Sequence, residues 1–162
     1  MKKRFAAAFV LAVLAGILQH FLHEWLPIPL TALFAPVNES VWEHLKLLYW
    51  PFLLAAILLT RRMRELPRAW SAFLASLLLM PLVLTSLYYL LKSGFGLESA
   101  ALDIALYLAV MAFGFLLSYH LYDSGAAERR LGGLIVLSAL YGVALIVFSV
   151  AAPPLPIFQP PV

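Results

Sequence analysis

Residues 69–91 read AWSAFLASLLLMPLVLTSLYYLL, a run without a single charged side chain. As a helix this stretch is about 34 Å long at about 1.5 Å per residue, enough to cross a hydrocarbon core of about 30 Å. A backbone placed in lipid must satisfy its own hydrogen bonds, which favours helix over any open strand. Pro81 falls inside the run, removes one backbone donor and is expected to kink it.

Four further runs of the same character surround it: Phe5–Leu22, Glu39–Thr60, Ala100–Tyr122 and Leu131–Ala152. Pro51 is expected to kink the second of the five spans. The fold class is therefore all-α: a polytopic transmembrane helix bundle of about five spans, forming one domain over residues 1–162. Composition agrees, with 64% hydrophobic residues, 12% charged and a mean hydropathy of +0.96, against roughly 25% charged in an ordinary soluble domain. Val13-Leu14-Ala15 offers a passable signal-peptide cleavage pattern, but the apolar run continues to Leu22, so a retained helix is expected. Pro27, Pro29 and Pro36 prevent a continuous helix from Trp25 to Pro36 and leave room for a short re-entrant or interfacial piece. The Pro-rich tail, residues 153–162, is expected to be extended and polyproline-like. Ser138 with Gly142, and the Gly132-Gly133 pair, fit close helix contacts.

Lys and Arg give an orientation. Nine of the eleven lie before the first span or in the second and fourth connections, and only Lys46 and Lys92 fall on the opposite side. The positive-inside rule then places the N-terminus in the cytoplasm and the C-terminus outside. This distribution explains the net charge of +3 without a nucleic-acid partner, and no basic groove with interleaved aromatics appears. The absence of cysteine excludes disulfides, thiolate chemistry and iron–sulfur clusters.

With that topology, three of the four histidines and five of the eight acidic residues converge on the outer face. His20, His23 and Glu24 end the first span; Asn38, Glu39, Ser40, Glu43 and His44 open the second; Tyr88 and Tyr89 close the third; Glu98 and Asp103 open the fourth. Ionisable groups at a membrane face mark a functional site by default. His20 and Glu24 are four apart and share a helix face, as do Glu39 with Glu43 and Ser40 with His44. Two carboxylates at that spacing repel, and Lys46, a shared proton or a bound cation would relieve them. Imidazoles with carboxylates suit a divalent metal such as zinc, although the spacing matches no soluble zinc signature.

Simpler roles compete for the same residues. Ser40-Val41-Trp42-Glu43 fits a capping box, with Ser40 as cap and Glu43 reaching back. Trp25, Trp42 and Trp50 suit interfacial anchoring or packing. Lys46 is expected to snorkel outward, over Trp42, more readily than to act in catalysis. His23 and Glu98 suit the aqueous loops, and His120 with Asp123 an interfacial pair at the opposite end.

The run Pro36-Val37-Asn38-Glu39-Ser40-Val41-Trp42-Glu43-His44-Leu45-Lys46, closing at Pro51, resembles a prokaryotic family of small polytopic membrane proteins known only as a domain of unknown function. His20-x-x-x-Glu24-Trp25, the paired tyrosines, Asp103 and the tail with Ile157-Phe158 fit the same pattern. The resemblance implies a multi-pass protein of a prokaryotic inner or plasma membrane and supplies no activity.

From the residues, the leading expectation is a metal-dependent membrane hydrolase acting on a lipid or amphiphile. His20, Glu24, His44 and Asp103 would hold the ion, with Glu39 as an alternative ligand. Glu43 would be the general base, with Glu39 and Lys46 as further catalytic groups; Asn38, Ser40, Tyr88 and Tyr89 would contact substrate. Ceramidase-type membrane hydrolases are similar in placing histidines, an aspartate and a serine near one face, though their motifs are absent here. The alternatives are a small transporter or binding protein for a proton, metal ion or polar solute, and an accessory subunit binding another membrane protein. Membrane lipid is the expected partner, with a homo-oligomer as a further option.

Overall fold

A computed structural model describes residues 2–160 of the chain; Pro161 and Val162, the end of the expected tail, lie outside them. Six α-helices occur among the described residues: α1 Lys2–Trp25, α2 Pro29–Phe34, α3 Val41–Thr60, α4 Leu66–Tyr89, α5 Ala100–Ser124 and α6 Leu131–Val150. No strand occurs among these residues. Every helix except the six-residue α2 is long and apolar enough to cross a membrane.

Local chemistry sets the boundaries. Ser40 caps α3, its hydroxyl accepting from the Glu43 N–H at 3.3 Å, and Ser99 caps α5 through the Leu102 N–H at 3.1 Å. Proline opens α2 at its first turn, where the missing N–H costs nothing. Gly125 ends α5 in the left-handed region at φ 68°, a conformation a side chain would strain. α3 and α4 run on through Pro51 and Pro81, and α4 closes in a single π-helical turn at Leu90–Gly94.

Among the long helices α4 packs most extensively against α5, α1 lies against α3, and α6 packs on α4 and α3 rather than on its sequence neighbour α5. The centre of the bundle is apolar and aromatic. The Phe52 ring lies 5.8 Å from Phe73 and 5.0 Å from Phe115, with Leu77, Met80, Val110 and Met111 buried around them. Three glycines allow close approach: Gly16 meets the Tyr107 hydroxyl, Gly114 the Met80 sulfur and Gly142 the Tyr49 ring. Tyr49 also donates to the Ser138 carbonyl at 3.0 Å, so the expected Ser138/Gly142 contact exists. The Gly132-Gly133 pair is different: both positions face open space.

The bundle has two distinct ends. One carries Arg4, Arg62, Arg64 and Glu65; here Arg68 pairs with Glu65 at 3.0 Å and donates to the Asp123 carbonyl. His120, expected with Asp123 as an interfacial pair, is exposed at this end. The other end gathers His20, His23 and His44. There the chain departs from an extended tail: residues Pro156–Phe158 form a 3-10 turn that folds back over α3. The Phe158 ring lies 4.8 Å from Trp42 and 5.4 Å from Phe148, because an apolar pair in a proline-rich segment has an aromatic surface to cover.

Candidate functional site

The histidine end contains two polar assemblies with different character. The first is a buried lock. Lys46 and Glu43, 0% and 2% exposed, pair at 2.7 Å. All three ammonium protons are committed, to Glu43, to the Ala32 carbonyl at 2.8 Å and to the Ala35 carbonyl at 3.1 Å. Both Glu43 oxygens are engaged as well, accepting from Lys46, from the Val37 N–H at 2.9 Å and from the Ser149 hydroxyl at 2.6 Å. Lys46 therefore points inward, not out over Trp42 as expected. The reason is local: α2 ends above it and leaves carbonyls that need donors. Gln19 reinforces the same seam, its amide donating to the Phe34 and Lys46 carbonyls at 2.6 and 3.2 Å.

The expected capping box is half formed. Ser40 caps α3, but Glu43 reaches back to Val37, while the Ser40 N–H is taken by the Asn38 side chain at 2.9 Å. Because α3 begins at Val41, Glu39 lies in the loop and does not share a helix face with Glu43. The two carboxylates diverge, which removes the expected repulsion. His23 faces back onto the chain, its Nδ1 2.9 Å from the Thr31 hydroxyl of α2.

The second assembly is open. His20, Glu39 and His44 each offer a ligand atom, and these atoms lie within 4.8 Å of one another. The two imidazole rings are 5.3 Å apart. His44 Nδ1 lies 2.9 Å from the Ser40 carbonyl; a carbonyl only accepts, so Nδ1 carries the proton. His44 Nε2 faces the Glu39 carboxylate at 3.4 Å. In the neutral ring that is a lone pair facing an anion, and a proton or a cation between them satisfies both. His20 Nδ1 is buried without a hydrogen-bond partner. Glu39 is 69% exposed, so water reaches the cluster.

Asp103 opens α5 at the same end of the bundle. Between antiparallel α1 and α5, Phe5 meets Tyr119, Phe9 meets Phe115 and Gly16 meets Tyr107. The next turn sets His20 across from Asp103. One Asp103 oxygen pairs with Lys92 at 3.2 Å, while Oδ1 is buried and unpartnered, as is the Tyr107 hydroxyl. Of the expected ligands, His20 and His44 come together, Glu39 joins them from the loop, Asp103 sits in register outside the trio, and Glu24 is exposed apart from it. Tyr88 and Tyr89 lie edge to face at the end of α4, with the Lys92 ammonium 4.6 Å above the Tyr88 ring. Sequence reasoning missed Ser149, Gln19 and Tyr107. Ser149 and Tyr107 each carry a lone polar group on an apolar span, a signal present in the sequence but shared with many serines and tyrosines that serve only their own helix or the interface.

An apolar bundle with five candidate spans and a histidine–carboxylate group at one end defines a multi-pass membrane protein. The chain belongs to DUF6512, a family of unknown function whose model matches residues 1–162. No curated protein and no solved structure matches it.

Proposed function

We propose that this protein is a membrane-embedded hydrolase dependent on a divalent cation, zinc being the best fit, held by His20, His44 and Glu39. The site opens on the extracytoplasmic face, and the arginine-rich end faces the cytoplasm. The observation that carries this reading is the His44 lone pair aimed at the Glu39 carboxylate at 3.4 Å, with a His20 ring nitrogen within 4.8 Å of the other two ligand atoms. Two histidines and one carboxylate leave a fourth position open, the arrangement of catalytic rather than structural zinc. The Ser40 carbonyl bound to His44 Nδ1 acts as the usual outer partner that orients a ligating imidazole.

A cation at that position would activate water and polarise a carbonyl or phosphoryl oxygen. Asp103, across from His20 with a free oxygen, is the group assigned to take the proton released by that water. With the ion bound, the water oxygen would bond to carbon or phosphorus as the bond to the leaving group breaks, and Asp103 would pass the proton to the leaving group. Glu43 and Lys46 are assigned to architecture, since every donor and acceptor they own is committed inside the bundle. Substrate reaches such a site from the adjacent leaflet, which favours a lipid or amphiphile with a hydrolysable headgroup. Transport through one chain is disfavoured by the packed phenylalanines and methionines at mid-bundle. The hydroxyls there, Ser76 and Ser118, bond to their own helices.

The test is cleavage of fluorescent ester- and amide-linked lipids in vesicles containing the purified protein, with zinc removed and restored. Restored activity that is lost in both His44→Ala and Asp103→Asn, with metal content retained only in Asp103→Asn, supports the reading. Full turnover in Asp103→Asn, or no cleavage by zinc-loaded protein across the panel, overturns it.

A further inference from the structure

At the arginine end a groove of about 280 Å³ runs between α1 and α3, lined by Leu11, Ala15, Leu54 and Leu58, with Arg4 and Arg62 at its mouth. It exists because α1 turns alanines towards α3 along this stretch, leaving a furrow between the two backbones. We propose that the groove binds one anionic phospholipid, its acyl chain along the furrow and its phosphate at Arg4 and Arg62.

Three observations favour this occupant. From Arg4 to Ala15 the groove follows α1 for about 16 Å at about 1.5 Å per residue, roughly half of a hydrocarbon core of about 30 Å. That is the depth of one leaflet, so an acyl chain fits, whereas a partner helix crossing the whole membrane would run out of furrow. Secondly, both arginines are exposed and neither makes an ion pair among the described residues. The nearby carboxylate, Glu65, is already paired with Arg68 at 3.0 Å. Thirdly, a neighbouring hollow shares Arg4 and Arg62 and adds Arg64, which concentrates guanidinium groups where a headgroup lies. Guanidinium binds phosphate through paired donors, and basic pockets between membrane helices recognise anionic headgroups.

The experiment is native mass spectrometry of the full chain in neutral detergent, titrated with phosphatidylglycerol, phosphatidylcholine or inorganic phosphate. One phosphatidylglycerol per chain is expected, bound about 25-fold more tightly than phosphatidylcholine, about fivefold for each arginine near the headgroup. R4Q/R62Q abolishes that preference while leaving phosphatidylcholine binding unchanged. Ala15→Phe fills the furrow and weakens both lipids alike, a readout independent of charge. Equal affinity for the two lipids, a preference that survives in R4Q/R62Q, or displacement of lipid by inorganic phosphate overturns the proposal. So does a dimer that closes over the groove and excludes lipid.

Discussion

Lys46→Met isolates the lock. The substitution keeps most of the side-chain volume and removes three bonds at once, to Glu43, Ala32 and Ala35. Glu43 stays 2% exposed, still held by Val37 and Ser149 but without a counter-charge. Removing one partner of a buried pair costs about 3–5 kcal/mol, roughly two to nearly four orders of magnitude in the folding equilibrium. Adding Glu43→Gln removes the stranded charge, so the double variant is expected to be more stable than Lys46→Met alone. The assay is a double-mutant cycle, read by unfolding of the detergent-solubilised protein under increasing denaturant. Limited proteolysis of residues 26–40 adds a local readout, because Lys46 ties two carbonyls of this segment to α3. A loss below about 1 kcal/mol, the worth of an exposed pair, or strict additivity in the cycle would refute the reasoning.

Three smaller predictions follow from the same geometry. Ser149→Ala leaves Glu43 Oε1 without its donor at 2.6 Å and is expected to destabilise by about 1–3 kcal/mol; an unchanged unfolding midpoint would show that water replaces the hydroxyl. Gly16→Ala places a methyl group against the Tyr107 hydroxyl, an overpacking expected to cost about 1–3 kcal/mol, measured by thermal unfolding and relieved in Gly16→Ala/Tyr107→Phe. Phe158→Ala removes the tail's contacts with Trp42 and Phe148, about 0.5–1.5 kcal/mol for each aromatic pair beyond area burial; faster proteolysis after residue 150 with an intact bundle is the expected signature, and unchanged proteolysis would show that the tail is not held there.

The spans were legible because lipid imposes one simple rule, sustained apolar length. Leu131–Ala152 from the sequence against α6 at Leu131–Val150, and Glu39–Thr60 against α3 at Val41–Thr60, differ by only two residues. The proline spacing before α3 likewise pointed to a short interrupted piece, found as α2. What the sequence did not reveal depends on how that piece folds. Glu39 joins the histidines, and Lys46 turns inward, because α2 and its following loop lie over the start of α3, and no helical spacing rule describes a loop. The convergence of His20 and His44 was readable from topology alone. Pairing Asp103 with Lys92 required the π-helical turn that ends α4 and carries Lys92 to α5.

Elemental analysis of protein purified without chelator, quantified as metal ions per chain, tests the cation centre most directly. One divalent ion per chain is expected, falling to background in His20→Ala and in His44→Ala and retained in Asp103→Asn and Lys46→Met protein that remains folded. Wild type indistinguishable from the two histidine variants, even after incubation with zinc, would contradict it.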